Sequence, residues 1–188
     1  NGIAPGNGPA ANAMRAEPGR ASVRLLDVAS KPAAWTALRE EPADIHVFAD
    51  ADISVNKWAI PALVDGLNET GVVATAAKQE HLGEGTVERV ARIPHRLSWG
   101  GLLGTLYAAK TTALPEAMPD GVLLDDAWLF ANLTEEGTVA PMPLAVATVQ
   151  LPSRWRDLWR QRVRAEAGKQ QMQALDLKLA EPPAEMSS

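Results

Sequence analysis

The chain has 188 residues, 46% of them hydrophobic, with 18 basic against 23 acidic side chains and no cysteine. That length and apolar content describe one domain with a real core and exclude a mainly disordered chain; the missing thiols exclude a disulfide framework, a thiolate zinc site, an iron–sulfur cluster and a cysteine nucleophile. The net charge of −5 argues against broad nucleic-acid binding, and no apolar run reaches the ~18–20 residues of a membrane-spanning helix.

Asn1-Gly2 is polar and shows neither an initiator methionine nor a signal peptide, so we read a soluble segment taken from something longer. Residues 1–20 are punctuated by Gly2, Pro5, Gly6, Gly8, Pro9, Pro18 and Gly19 and read as loop. Val23 to Leu26 reads as a strand. Pro32 to Arg39 reads as a helix, with Ser30 as a candidate N-cap and Pro32 in the first turn. Ile45 to Ala49 is an apolar, β-branched and aromatic run between Pro42 and Asp50, hence a strand. A helix over Asn56–Leu67 tolerates Pro61 only near its first turn. Val72 to Ala77 is a further strand, Gln79 to Pro94 reads as irregular, and Gly104 to Ala109 as a strand ending at Lys110. Asp126 to Leu133 is a helix stopped near Gly137, Leu144 to Val149 a strand, and Ser153 to about Gln173 the longest helix. Glu181 to Ser188 reads as an unstructured tail. Strands alternating with helices predict an α/β fold: one layered domain, a mostly parallel central sheet, helices on its faces.

Three features carry chemistry. Asp50 and Asp52 directly follow the strand Ile45–Ala49. An unpaired charge does not belong inside an apolar strand, so the strand ends there, at the carboxyl edge where open α/β sheets bind ligands. In extended backbone, two-residue spacing points both carboxylates the same way, which suits a hard divalent ion that also holds a diphosphate. The plainer alternative is a turn with an Asp cap. Asp125 and Asp126 open the next helix, either as capping acids favoured by the helix dipole or as a general base on a rigid element. Arg156, Arg160 and Arg164 are spaced by four and form one helical stripe with Gln161 beside it; Trp155, Trp159 and Val163 form a neighbouring apolar stripe that faces a core or a membrane. Arginine forks bind phosphate at two points, and a solvated basic face is the alternative.

In this order and spacing the features resemble inverting nucleotide-sugar glycosyltransferases of family 2, which have the glycosyltransferase A-type, Rossmann-like fold. Asn1-Gly2 looks like the turn that closes the family's second strand. Lys31-Pro32-Ala33-Ala34-Trp35 looks like its Gly-Lys segment, and His46 to Asp52 like its Asp-x-Asp strand. Gly100-Gly101 through Lys110 resembles the acceptor loop and following strand, Asp125-Asp126 the acidic pair whose second member is the base, and Gln161 to Arg164 the start of the Gln-x-x-Arg-Trp motif. The sequence departs from the pattern at Ile3-Ala4-Pro5-Gly6, where an acid is usual, at Ser30 in place of glycine, and at Ala165 in place of tryptophan.

The resemblance implies a domain over residues 1–175, truncated at its amino end, with a tail over 176–188. It implies Asp126 as catalytic base; Asn1, Gly2, Lys31, Asp50, Asp52, Gln161 and Arg164 at the donor; Trp99, Gly100, Gly101 and Asp125 at the acceptor; and Asp50 and Asp52 at a divalent cation, Mg²⁺ or Mn²⁺. The implied partners are a nucleotide-diphosphate sugar and a lipid or saccharide acceptor, without nucleic acid, at a cytoplasmic location that allows peripheral contact with the membrane's inner face. Two other readings compete. One is a degenerate nucleotide-sugar-binding or scaffold module of the same fold. The other is a nucleotidyltransferase, for which Gly6-Asn7-Gly8-Pro9-Ala10-Ala11 matches a glycine fingerprint but lacks a preceding strand. His46, His81 and His95 have no metal-ligand spacing, His46 reading as a satisfied strand residue; Trp35, Trp58 and Trp128 read as core.

Overall fold

The computed structural model describes residues 2–3, 23–27, 29–97 and 103–174. Strands β1 (Gly2–Ile3) and β2 (Val23–Arg24) pair in parallel. Then follow α1 (Lys31–Arg39), β3 (Ile45–Ala49), β4 (Ile53–Val55), α2 (Ala59–Gly66), β5 (Val72–Leu82), α3 (Thr86–Leu97), β6 (Leu106–Lys110), a 3-10 turn (Thr111–Ala113), α4 (Asp125–Glu136), β7 (Thr138–Gln150) and α5 (Trp155–Ala174). The main sheet has the order β3-β6-β5-β7-β4. Strands β3, β5 and β7 run one way, as a mostly parallel α/β sheet requires; β6 and β4 run against their neighbours.

Local chemistry accounts for the elements. Ser30 caps α1, its hydroxyl accepting from the Ala33 amide at 3.2 Å, and Pro32 occupies the first turn, where no helical N–H is missed. Pro61 likewise falls in the first turn of α2, which starts at Ala59. Strand β6 lies between β3 and β5 and is buried along Leu106–Ala109. Its alternating side chains feed two cores. Tyr107 and Ala109 join Trp35, Phe48, Leu129, Leu133 and Met172 beneath α1, α4 and α5; Leu106 and Ala108 join Ala59, Leu63, Leu67, Ala145 and Ala147 beneath α2. The sheet is thus covered on both faces, the layered arrangement the alternation of elements predicts.

Several expectations are corrected. The polar stretch Gln79–Pro94 is not irregular: β5 continues to Leu82, and α3 begins at Thr86. One face of α3 packs, through Val87 and Ala91 onto Leu151 and Leu158, and the polar residues of the stretch are those of an amphipathic helix. Strand β7 is far longer than Leu144–Val149, because it pairs along β5 in two registers. Ala77 faces Met142 but Lys78 faces Val146, leaving Pro143, Leu144 and Ala145 as the bulge. Proline cannot donate to the ladder. Asn56 satisfies the bulge instead: its Nδ2 donates to the Leu144 carbonyl at 2.9 Å and its Oδ1 accepts from the Val146 amide at 3.3 Å. Trp58 is 60% exposed and is not core. His46 is buried, as a strand interior residue should be, but its Nε2 has no hydrogen-bond partner among the described residues. Burial, helped by the charge of Arg39, lowers its pKa and keeps the ring neutral.

Candidate active site

A cavity of about 390 Å³ opens at the carboxyl end of β3. The first residues of α1 and α4 both line it, so two positive helix ends lie at one space. The helix ends favour an anion such as a diphosphate, while Asp50, Asp125 and Asp126, which line the same cavity, oppose it.

Charged side chains arrive from three separate stretches of sequence. Lys31 is the first residue of α1, Asp50 directly follows β3, and Asp125 and Asp126 open the first turn of α4. All four line the cavity. The Lys31 ammonium bridges two of the acids, 2.7 Å from Asp125 Oδ2 and 3.2 Å from Asp50 Oδ1. Burial disfavours its charge, but the facing carboxylates of Asp125 and Asp50 outweigh that and hold its pKa above the ordinary lysine value. Asp126 forms no ion pair among the described residues; its Oδ1 accepts from the Ala127 amide at 2.9 Å. Burial, reinforced by the negative charge of Asp125, raises its pKa.

The apolar wall is a stack of three rings. Phe48 lies between Trp35 and Tyr107, with centroids 5.5 and 4.8 Å away and planes within 12° and 18°. Trp35 Nε1 donates to the Tyr107 hydroxyl at 2.8 Å. Burial pushes the Tyr107 phenol well above its usual range, so it stays protonated and can donate in turn. Beneath the acids, the Asp50 amide donates to the Thr105 carbonyl at 2.9 Å, and Gly104 turns into β6 with φ of +53°, where a Cβ would run into the Gln79 amide.

The remaining expected site residues are placed as follows. Asp52 is exposed on the turn between β3 and β4; its neighbour Ala51 lines the cavity, but Asp52 does not. Arg164 stands on α5 with its Nε donating to the Leu123 carbonyl at 3.3 Å and its guanidinium 4.0 Å from Asp125, so it touches the acidic pair from outside. Gln161 is exposed on α5, and Gly2 lies in β1. Asn1, Trp99, Gly100 and Gly101 lie outside the described residues. Among the described residues no three His, Asp or Glu side chains cluster as a ready-made metal site. Sequence reasoning missed Tyr107 and Phe48 as cavity residues and took Trp35 for simple core. The chain's single tyrosine, on a strand after a glycine-rich stretch, was the available signal.

No protein-family model matches the chain, and none of the curated proteins matches it in sequence. Solved structures do match in fold. A mannosyltransferase from Pyrobaculum calidifontis, in complex with GDP-Man and Mn²⁺, superposes with a TM-score of 0.61 at 22% identity, over 86% of this chain and 48% of that one. Mannosyl-3-phosphoglycerate synthase from Rubrobacter xylanophilus gives 0.55 at 20% identity, over 92% and 63%. Glucosyl-3-phosphoglycerate synthase from Mycobacterium tuberculosis, with Mn²⁺, UDP and phosphoglyceric acid, gives 0.53 at 21%, over 87% and 62%. The chain therefore has the glycosyltransferase A-type fold, and it spans between about half and under two thirds of the length of these proteins.

Proposed function

We propose that this chain binds a nucleotide-diphosphate sugar in the cavity between α1, β3 and α4 and transfers the sugar to an acceptor hydroxyl with inversion at the anomeric carbon. One observation carries the reading: Lys31, Asp50, Asp125 and Asp126 line the same cavity, and Lys31 ties the acid at the strand end to the acidic pair. The glycosyltransferases of similar fold, captured with GDP-Man and Mn²⁺ or with UDP and Mn²⁺, support it.

In this reading Lys31 and the two helix ends receive the diphosphate. Asp50 orients Lys31 and meets the ribose side of the donor. Asp52, next to the cavity-lining Ala51, is the residue that would hold a divalent ion of the Mg²⁺ or Mn²⁺ kind. Asp52 is an exposed carboxylate with no ion-pair or hydrogen-bond partner among the described residues, and such ions bind through one or two carboxylates plus substrate phosphate oxygens. When bound, the ion offsets the charge on the departing nucleoside diphosphate. Asp126 takes the proton of the acceptor hydroxyl as that oxygen bonds to the anomeric carbon. The bond from that carbon to the diphosphate oxygen breaks, and the nucleoside diphosphate leaves with the electron pair. A single displacement of this kind inverts the carbon. Arg164 holds Asp125 and, with Gln161, closes the acceptor side.

The test is Asp126→Asn. Isothermal titration with nucleotide sugars and Mn²⁺ should show donor binding within about threefold of wild type, while sugar transfer falls by roughly 10²–10⁴-fold, the usual contribution of a general base. Transfer at wild-type rate would place the base elsewhere.

A further inference from the structure

The helix α5 presents its tryptophan stripe to solvent: Trp155 is 58% exposed, Trp159 71% and Val163 53%. The core half of the sequence expectation for this stripe is therefore excluded. The helix packs instead through Leu158, Gly168 and Met172, which lie on its opposite side. At 100° per residue the exposed trio spans about 80° of the helix surface, clear of the buried residues. Arg156 and Arg160 flank the trio on one side and Arg162 on the other. Arg156 and Arg160 have no ion-pair or hydrogen-bond partner among the described residues. Between Arg154 and Arg164 five arginines stand against one acid, Asp157, in a chain whose overall charge is −5.

Two indoles and a valine, bordered on one side by the unpaired guanidinium groups of Arg156 and Arg160 and on the other by Arg162, whose Nη2 donates to the Ala91 carbonyl at 3.4 Å, have the composition of a helix that lies in a lipid interface. Indole rings settle at the headgroup level with their apolar bodies inward, while arginines reach up to anionic headgroups from the same helix. A second protein surface would need its own acids placed against both flanks; an anionic bilayer offers them everywhere. No described helix is long and apolar enough to cross a membrane, so the contact is peripheral.

We propose that the Trp155–Trp159–Val163 stripe of α5, with its flanking arginines, docks this protein on an anionic lipid surface. The docking stripe is distinct from the cavity, so the inference stands or falls apart from the proposed sugar transfer. Arg164, on the same helix, touches Asp125 and links the docked element to the cavity rim.

The experiment is co-sedimentation of the whole chain with vesicles of phosphatidylglycerol and phosphatidylcholine, against pure phosphatidylcholine, at low salt. The chain should pellet with the anionic vesicles and stay in solution with neutral ones. Trp159→Ser should weaken partitioning more than tenfold, and Arg156→Gln and Arg160→Gln by about fivefold each. Trp58→Ser, which removes an equally exposed indole elsewhere, should leave it within twofold. All these positions are exposed, so the variants fold, and circular dichroism confirms that. Absence of binding to anionic vesicles overturns the proposal, as does equal loss from Trp58→Ser. A micromolar self-association in sedimentation equilibrium, abolished by Trp159→Ser without vesicle binding, would assign the stripe to a second copy instead.

Discussion

Lys31 is the residue whose removal tests the electrostatics of the cavity most directly. Its ammonium makes two charge-assisted contacts, at 2.7 Å to Asp125 and 3.2 Å to Asp50. Deep burial would make each worth about 1.5–3 kcal/mol and full exposure well under 1. The Lys31 side chain is 53% exposed and Asp125 16%, so solvent screens one end of a pair whose other end is protected. We therefore expect Lys31→Met to destabilise the fold by about 1–2 kcal/mol in urea titration at neutral pH. The functional effect should be larger, because the acids then face the diphosphate without a cation between them. Loss of one charge-assisted phosphate contact, about 1.5–3 kcal/mol, corresponds to roughly 10- to 150-fold in Kd. The charge of Lys31 also holds the Asp126 pKa down against burial and Asp125. Its loss should move the acid limb of the pH–rate profile to higher pH, and Lys31→Arg should restore the limb by restoring charge. Donor titration calorimetry and transfer rates across pH measure both. Unchanged Kd together with an unmoved acid limb would refute the bridge as a working element of the site.

Three further outcomes are expected. The folded-state pKa of Asp126 is raised, so the folded chain holds that proton more tightly than the unfolded one, and stability is lost as pH rises from the ordinary carboxylate range through the folded value; Asp126→Asn should therefore melt higher than wild type at pH 7 and lose that advantage in acid, as differential scanning calorimetry reads. Tyr107→Phe strands the buried Trp35 Nε1–H that now donates at 2.8 Å, which should cost about 1–3 kcal/mol in chemical denaturation. Gly168→Ala would drive a Cβ into the side chain of Leu124, the residue just before the acidic pair; overpacking of this kind costs about 1–3 kcal/mol, and transfer should fall more than donor binding because Asp125 and Asp126 shift with their helix.

Local rules placed much of this molecule. Strand β3 over Ile45–Ala49, the Ser30 cap of α1 and the acidic first turn of α4 each follow from residues within a few positions of one another. An apolar strand must stop where an unpaired carboxylate begins, and that alone puts Asp50 at the carboxyl end of β3. The sequence by itself therefore determined the α/β alternation and the identity of the acids. It could not determine which acid meets which cation. The pairing of Lys31 with both Asp50 and Asp125 exists because β6 passes between β5 and β3 and carries Tyr107 beneath them, a long-range strand order that no short pattern encodes. The same holds for the apolar stripe of α5. Its composition suits a buried face and a lipid-facing face equally well. Only packing showed that the stripe is not a buried face, because Leu158, Gly168 and Met172 had already turned the other side of the helix toward the core.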